Sequence, residues 1–444
     1  MADPLMKIPA RGIPGDELLR EMGELRAGDA NWKDGRTWSL VYYAGEEIYS
    51  FLKEAYTMFF SENALNPGAF PSLRKFESEV IAMTAGMLGG GPEVAGSMTS
   101  CGTESILMAV KTYRDMARAE RPEIKNPEIL MPETAHPAFQ KAAHYFDVTP
   151  VRIPVKSDFR ADVEAMGEAI NGSTIVMVGS APAYPHGVVD PIPELAALAL
   201  ERGAGFHVDG CLGGFLLPFV RKLGYPVPDF DFGVPGVTSI SADVHKYGFA
   251  AKGASTILYR DKDIRRHQYF VYTEWSGGIY ASPTMTGTRP GGAIAAAWAI
   301  MNHLGEEGYM RLAGAIMKTA KKLVEGINSI PGLYVLGRPA MSVFAFTSDS
   351  LDIYALGDEM DSRGWRLDRQ QRPSCLHMMV TPAHEKIADI FLSDLKEAAL
   401  AVARNESGMT GGTAAMYGLM GTLPDRGMVA SFVLDYMDEQ MKVK

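Results

Sequence analysis

Short apolar runs alternate with amphipathic segments between about residue 90 and residue 260. The amphipathic segments carry apolar residues at helical spacing, whereas the apolar runs are continuous, as in strands with both faces buried. The runs lie at 129–131, 151–153, 174–180, 205–209, 237–241 and 255–259, and the helices at 137–146, 161–170 and 192–201. This alternation predicts an α/β fold with a mostly parallel central sheet covered by helices. Ligands of such sheets bind beyond the carboxyl ends of the strands.

The pattern changes on both sides of this region. Helical spacing predicts helices at 46–60 and 73–88, after a polar arm over 1–36. Two long helices follow at 293–304 and 309–330, and then helices at 353–363 and 388–403 mixed with strands at 333–336, 342–347 and 378–380. We predict three parts: an N-terminal arm with helices (1–90), a large domain (91–305) and a smaller α+β domain (306–444). A Gly-rich loop or hinge is expected at 407–421.

Composition limits the classes of function. Hydrophobic residues make up 47% of the 444 residues and charged residues 22%, which is typical of a folded globular protein. The net charge is −10 without a basic run, which argues against nucleic acid as a partner. The N-terminus lacks a signal-peptide pattern, and the longest apolar run, 293–301, is shorter than the about 20 residues that cross a bilayer. With three cysteines and no Cys-x-x-Cys spacing, we predict a cytoplasmic protein without a transmembrane segment.

A lysine follows the apolar run at 237–240. Lys246 lies just beyond that predicted strand, directly after His245. Burying an ammonium group is costly, so a lysine at the edge of a buried sheet needs a chemical reason. One reason is an amine that acts as a nucleophile and forms a Schiff base with a carbonyl cofactor. Taken alone, Lys246 fits a surface position after a strand better.

Other residues give Lys246 a chemical context. Gly102 and Thr103 open an apolar helix, whose first turn exposes N–H groups suited to a phosphate. Asp209 ends a strand, where a carboxylate can pair with a protonated ring nitrogen, and His136 follows another strand, where an imidazole can stack on a flat heterocycle. Helix caps and a loop histidine explain each feature separately. Their joint order along the chain is that of a site for pyridoxal phosphate (PLP).

Five stretches carry a resemblance to a known family. They are Thr-Ser-Cys-Gly-Thr-Glu-Ser (99–105), Phe-His-Val-Asp-Gly-Cys (206–211), Ser-Ala-Asp-Val-His-Lys-Tyr-Gly (241–248), Gly-Gly-Ile-Tyr-Ala-Ser-Pro (277–283) and Thr-Gly-Thr-Arg-Pro-Gly-Gly (286–292). Over about 41–429 the chain resembles the sphingosine-1-phosphate lyases, in the group II decarboxylase branch of the fold-type I PLP enzymes. The resemblance makes 91–305 the large PLP-binding domain and implies that the arm and helices of 1–90 contribute to a dimer and to the substrate site.

The resemblance implies a role for each candidate residue. It implies that Lys246 holds PLP covalently, that His136 stacks on the cofactor ring and that Asp209 pairs with the ring nitrogen. The cofactor phosphate would be held by Gly102, Thr103, Ser241 and His245. It also implies an obligate homodimer with shared active sites, in which Thr288 reaches the cofactor of the partner subunit. The substrate phosphate would meet Tyr42, Asn63, Lys252 and Tyr417.

The implied reaction is a PLP-dependent retro-aldol cleavage. Sphingosine 1-phosphate, or another phosphorylated sphingoid base, would give a long-chain aldehyde and phosphoethanolamine. The base that takes the C3 hydroxyl proton stays open between Lys246, a water molecule and a histidine, and we expect burial and neighbouring cations to lower the pKa of Lys246.

Two other functions remain as alternatives. A PLP-dependent amino-acid decarboxylase would share every cofactor residue. A non-catalytic phosphosphingolipid-binding protein would need neither Lys246 nor Asp209. The chain also departs from the family pattern: Asn66 stands where the family has histidine, Cys101 where it prefers glycine, and Gly210 where it prefers alanine.

Overall fold

A seven-stranded sheet forms the centre of the computed structural model, which describes residues 7–404, 421 and 423–442. Its strand order is β1-β7-β6-β5-β4-β2-β3, in which β7 runs antiparallel to β6 and β1 and the other pairs are parallel. The strands are β1 (Ala95–Thr99), β2 (Glu128–Pro132), β3 (Thr149–Ile153), β4 (Thr174–Ser180), β5 (Gly205–Asp209), β6 (Ser239–Ala242) and β7 (Ser255–Tyr259). The predicted mostly parallel sheet is confirmed.

Helices cover both faces of this sheet because its central strands are apolar on both sides. Every residue of β4, β5, β6 and β7 is buried. The helices of the first 266 residues are α1 (Gly15–Arg26), α2 (Glu46–Met58), α3 (Pro71–Met87), α4 (Gly102–Glu120), α5 (Ala138–Phe146), α6 (Val163–Ala169), α7 (Ile192–Glu201), α8 (Leu217–Lys222) and α9 (Lys262–Arg266).

A second, antiparallel sheet lies towards the C-terminus. Its order is β10-β11-β13-β12, from β10 (Tyr334–Val335), β11 (Val343–Thr347), β12 (Asp368–Gln370) and β13 (Cys375–Met379). Helix α11 (Ile353–Ser362) packs on β13, α12 (Ala388–Ala403) packs on α11 and α10, and α13 spans Arg426–Gln440. These helices and strands form the predicted α+β region. The division of the chain at 90 and 305 stays a prediction.

The two predicted long helices follow each other across a kink. The span α10 (Gly291–Asn328) is interrupted at Gly305, whose φ of 54° and ψ of −173° are not helical, so the predicted break between the two helices is confirmed. Strand β1 was missed because its sequence, Ala-Gly-Ser-Met-Thr, has no apolar run, and its pairing with β7 determines its conformation. A hairpin of β8 (Phe270–Tyr272) and β9 (Tyr280–Ser282) was also missed. Most of the predicted loop at 407–421 lies outside the described residues.

The strand ends bring the candidate residues to one edge of the sheet. Asp209 ends β5 and is paired in register with Ser180 of β4 and Ser241 of β6. The small sheet reaches the same edge, where the Tyr247 hydroxyl donates to the backbone oxygen of Val380 at 3.1 Å. Within the described ranges no helix has the length and apolarity needed to cross a bilayer.

Candidate active site

A cavity of about 210 Å³ lies beyond the carboxyl ends of the central strands. Five of the residues predicted to hold the cofactor line this cavity: Lys246, His136, Asp209, Gly102 and Thr103. The predicted cofactor residue His245 lines it as well. These residues come from four separate segments of the chain. Its wall also contains Cys101, Ile106, Pro182, Tyr184, Cys211, Leu212, Asp243 and His245.

Lys246 is held by a carboxylate one turn earlier in the chain. Its Nζ lies 3.0 Å from Oδ2 of Asp243, whose side chain is only 1% exposed. Burial is the largest single influence and lowers the pKa of Lys246, but the charge and hydrogen bond of Asp243, together with Tyr42 and Cys211, outweigh it and raise that pKa above its ordinary value. The expectation of a lowered pKa was therefore wrong, because the nearest strong charge is an anion. With its pKa raised, the amine of Lys246 is protonated.

Asp209 presents a fixed carboxylate to the cavity. Its Oδ1 accepts a hydrogen bond from the backbone N–H of Cys211 at 3.1 Å and from the hydroxyl of Ser241 at 3.4 Å. The Asp209 side chain lines the cavity at the end of β5, as the sequence predicted for a partner of the ring nitrogen.

His136 is neutral and fixed in one tautomer. Its Nδ1 accepts a hydrogen bond from the backbone N–H of Ala138 at 3.1 Å, which places the ring proton on Nε2. Burial lowers the pKa of His136, and the charge of Asp209 opposes this effect without reversing it. A neutral, oriented imidazole at the cavity wall suits the predicted stacking role.

The other end of the cavity is suited to a phosphate. Helix α4 starts at Gly102, so the N–H groups of its first turn have no partner within the helix. A Cβ atom at Gly102 would lie 2.7 Å from Oδ2 of Asp243 and 2.9 Å from Sγ of Cys211, so only glycine fits. The buried Nδ1 atom of His245, which lines the cavity, has no hydrogen-bond partner in the described structure. The unpaired nitrogen of His245 and the side-chain-free position of Gly102 occur in the same cavity as Lys246 and Asp209. This set of residues fits PLP.

Ser241 lies elsewhere than predicted. It is fully buried, does not line the cavity, and its Oγ contacts Nε2 of His207 at 3.3 Å as well as Asp209. His207 in turn contacts Oγ of Ser239 at 2.8 Å, and burial lowers its pKa to about 4. Ser241 therefore supports the carboxylate of Asp209 from behind rather than meeting a phosphate in the cavity.

A second cavity, of about 380 Å³, contains two of the predicted substrate-phosphate residues. Tyr42 and Lys252 both line it, and Nζ of Lys252 lies 5.1 Å from the centre of the Tyr42 ring. His245 lines both cavities, so they adjoin at that residue. Burial, and then the charge of Lys246, lower the pKa of Lys252 to about 8.

Asn63 contacts the loop that carries Thr288 instead of that cavity. Its Nδ2 donates to Oγ1 of Thr288 at 3.4 Å, and its Oδ1 accepts from the backbone N–H of Arg289 at 3.2 Å. The guanidinium of Arg289 is paired with Glu77 at 2.7 Å, which anchors the loop on α3. Neither Asn63 nor Thr288 lines the cofactor cavity of its own chain. Tyr417 lies outside the described residues.

Two residues at the cavity were missed by the sequence reasoning. Asp243 belongs to the Ser-Ala-Asp-Val-His-Lys motif, and its position three residues before Lys246 is the signal that its carboxylate can reach the amine. Tyr184 follows β4 on a loop and donates its hydroxyl proton to Oδ2 of Asp368 at 3.0 Å. No local pattern connects Tyr184 with Asp368, because Tyr184 lies on a loop after β4 of the large sheet and Asp368 begins β12 of the small sheet.

The chain matches known proteins over most of its length. Residues 23–348 match the family model of the pyridoxal-dependent decarboxylase conserved domain. A sphingosine-1-phosphate lyase of Oryza sativa is 49% identical over 440 residues, covering 97% of this chain and 81% of the relative. A sphingosine-1-phosphate lyase of Rattus norvegicus is 44% identical over 439 residues, covering 98% of this chain and 77% of the relative.

Solved structures agree with this relationship. A sphingosine-1-phosphate lyase of Burkholderia pseudomallei superposes with a TM-score of 0.87 at 44% identity, covering 91% of this chain and 94% of that one. A glutamate decarboxylase of Lactobacillus brevis superposes with a TM-score of 0.79 at 18% identity, over 90% of this chain and 96% of that one, and shows the fold alone. The chain thus has the fold-type I architecture, belongs to the pyridoxal-dependent decarboxylase family and, within that family, to the sphingosine-1-phosphate lyases.

Proposed function

We propose that this protein cleaves sphingosine 1-phosphate, or a related phosphorylated sphingoid base, to a long-chain aldehyde and phosphoethanolamine. The observation that carries the proposal is the joint placement of Lys246, Asp209 and His136 around one cavity that adjoins a second one containing Lys252. The family relationship gives the reaction and the substrate class.

The residues of the chain divide the work between cofactor and substrate. PLP supplies an aldehyde that bonds an amine and a ring that accepts the electron pair of the cleaved bond. The Asp209 carboxylate would hold the proton on the ring nitrogen, and the neutral His136 would cover the ring. Lys246 would lose a proton before bonding, because Asp243 keeps its amine protonated.

The second cavity would receive the phosphate of the substrate. Lys252 supplies a cation, and the ring of Tyr42 packs beside it. In this arrangement C1 of the substrate would lie on the side of His245, which lines both cavities, C2 at the cofactor and the long chain on the opposite side. In the overall reaction the C2–C3 bond breaks, the C3 hydroxyl loses its proton and C2 gains one.

A product assay tests this function. Incubation of the PLP-loaded protein with sphingosine 1-phosphate should yield long-chain aldehyde and phosphoethanolamine in equal amounts, and incubation with amino acids should yield no carbon dioxide. Carbon dioxide without aldehyde would identify an amino-acid decarboxylase instead. Binding of the phosphorylated base with no product at all would identify a non-catalytic binder.

The proposal includes a homodimer with shared sites. The hairpin of β8 and β9 exposes apolar side chains, with Trp275 55% and Ile279 78% exposed, as expected of a surface that a second copy covers. Asn63 and Thr288 contact each other and are absent from their own cavity, which supports a role for both in the partner's site.

Subunit complementation tests the shared sites. Lys246→Ala and Thr288→Ala homodimers should both be nearly inactive, and a mixture that exchanges subunits should regain activity because one site of each heterodimer has both residues. No recovery in verified heterodimers, or a monomeric mass by light scattering, would contradict this arrangement.

A cytoplasmic location is also part of the proposal. Cys101, Cys211 and Cys375 are all free thiols in the structure, as is typical of a reducing compartment. Fractionation of the producing cells, with enzyme activity recovered in the cytosolic fraction, would test it.

A further inference from the structure

Tyr184 lies where the cofactor cavity meets a third cavity. The third cavity, of about 500 Å³, shares Tyr184 and His136 with the cofactor cavity and extends along Phe159 and His186. If the substrate phosphate lies at Lys252, as proposed above, C3 of the substrate points away from Lys252 and towards the junction of these two cavities. In that pose the C3 hydroxyl of the substrate would face Tyr184, which lines both cavities.

Three segments of the chain fix the hydroxyl of Tyr184. It donates its proton to Oδ2 of Asp368 at 3.0 Å, and Oδ1 of Asp368 accepts from the hydroxyl of Ser39 at 3.1 Å. The ring of Tyr184 stacks on His377 with centroids 4.3 Å apart, and Nε2 of His377 donates to the backbone oxygen of Tyr184 at 2.9 Å. The phenol therefore cannot rotate its proton into the cavity without losing a charge-assisted hydrogen bond.

A phenol whose proton is engaged offers only lone pairs to its other neighbours. Burial and the charge of Asp368 also raise the pKa of Tyr184, so the hydroxyl keeps its proton over the working pH range. Its oxygen is suited to accept a hydrogen bond from an O–H group. It is unsuited to a carbonyl or carboxylate oxygen, which would meet lone pairs and the nearby negative charge.

We propose that Asp368 is a positioning residue that makes Tyr184 a hydrogen-bond acceptor, so that the site selects a hydroxyl at C3 over a carbonyl or carboxylate there. This inference rests on the proposed function. It gives the chain a physical means of favouring retro-aldol substrates over amino acids, whose carboxylate is an acceptor.

Two uncleavable inhibitors test the donor and acceptor state of Tyr184. A 3-deoxy phosphorylated sphingoid base has no oxygen at C3, and its 3-oxo counterpart has only an acceptor there. In the wild-type protein the 3-oxo compound should bind about tenfold more weakly than the 3-deoxy compound, a factor that corresponds to one unfavourable polar contact.

Substitutions at Asp368 should change this ratio in a defined way. Asp368→Val frees the proton of Tyr184 and should make the 3-oxo compound the tighter inhibitor, with kcat for sphingosine 1-phosphate about tenfold lower. Asp368→Asn keeps an acceptor oxygen and should retain the wild-type preference. Tyr184→Phe should abolish the preference, and Tyr184→Phe with Asp368→Val should be no worse than Tyr184→Phe alone.

A matched control separates this effect from damage to the small sheet. Asp394 accepts a hydrogen bond from the indole of Trp365 at 2.8 Å and does not contact Tyr184, so Asp394→Val should leave the inhibitor ratio unchanged. An unchanged ratio in Asp368→Val would overturn the inference, as would a ratio near one in the wild-type protein. If Asp368→Val does not fold, the wild-type and Tyr184→Phe ratios still decide. A wild-type protein that cleaves no phosphorylated sphingoid base would instead overturn the proposed function.

Discussion

Lys246 and Lys252 carry the same functional group in opposite electrostatic surroundings. Lys246 lies against the carboxylate of Asp243, which raises its pKa, whereas burial and the charge of Lys246 lower the pKa of Lys252 to about 8. Sequence alone could not assign these shifts, because both lysines follow the same strand and only the fold determines which one contacts the carboxylate.

The pKa of Lys252 predicts a pH dependence of substrate binding. Lys252 is a cation below about pH 8 and becomes neutral above it, so the KM for sphingosine 1-phosphate should rise as the pH increases through 8. Lys252→Arg should remove this rise, because a guanidinium stays protonated. Steady-state kinetics between pH 6.5 and 9.5 measures the effect, with Lys262→Arg as a surface control. A rise that persists unchanged in Lys252→Arg would assign it to another group.

At the level of elements, two neighbouring side chains constrain the backbone at the start of α4. Gly102 has no space for a side chain between Asp243 and Cys211, so any Cβ there would displace the helix start or the Asp243 carboxylate. The requirement arises from β5 and β6, which bring these two neighbours to the same edge of the sheet.

Gly102→Ala should therefore weaken PLP retention. We expect the dissociation constant of PLP to rise at least about tenfold, which corresponds to ~1.4 kcal/mol. Gly86→Ala is a matched control, since Gly86 lies within helix α3 and a Cβ there meets no atom within 4 Å. That control should be neutral or slightly stabilising. Equal PLP affinity in both variants, by equilibrium dialysis, would contradict a steric role for Gly102.

The pattern of apolar residues predicted the helices and strands better than it predicted which distant segments contact each other. Continuous apolar runs identified β4 and β5 because both faces of these strands are buried. The same rule missed β1, whose polar sequence becomes a strand only by pairing with β7. The site residues Lys246, Asp209, His136 and Gly102 followed from strand ends and a helix start. Asn63, Ser241 and Tyr184 depend on contacts between distant segments, which no local pattern contains.

At the scale of the whole molecule, several buried histidines link folding to pH. Burial lowers the pKa of each of them to about 4: His186, His207, His245, His377 and His384. Their unfolded pKa is about 6.5, so the unfolded state binds more protons between pH 6.5 and 4. Their contribution to stability is complete above pH 6.5 and is lost as the pH falls towards 4. Burial raises the pKa of Asp190 to about 6, so this carboxyl favours the folded state as the pH falls, but it is one group against five histidines.

The Tm should accordingly fall as the pH decreases from 6.5 to 4. His384→Gln should make this decrease shallower, because it removes a histidine stacked on Trp38 with centroids 4.1 Å apart. His144→Gln, at an exposed position of α5, should leave the slope unchanged. Scanning calorimetry across this pH range measures both. A Tm that stays constant between pH 6.5 and 4 would show that the buried histidines are not neutral in the folded state.

The identity of the lysine that carries the cofactor tests the account most directly. Borohydride reduction of the PLP-loaded protein, followed by digestion and peptide mass spectrometry, locates the lysine to which the cofactor was bonded. We predict the label on Lys246, whose amine is paired with Asp243 in the cavity that Asp209 also lines, and loss of the visible absorbance of the bound cofactor in Lys246→Ala. A label on Lys252, or an unlabelled protein that still cleaves sphingosine 1-phosphate, would contradict the account.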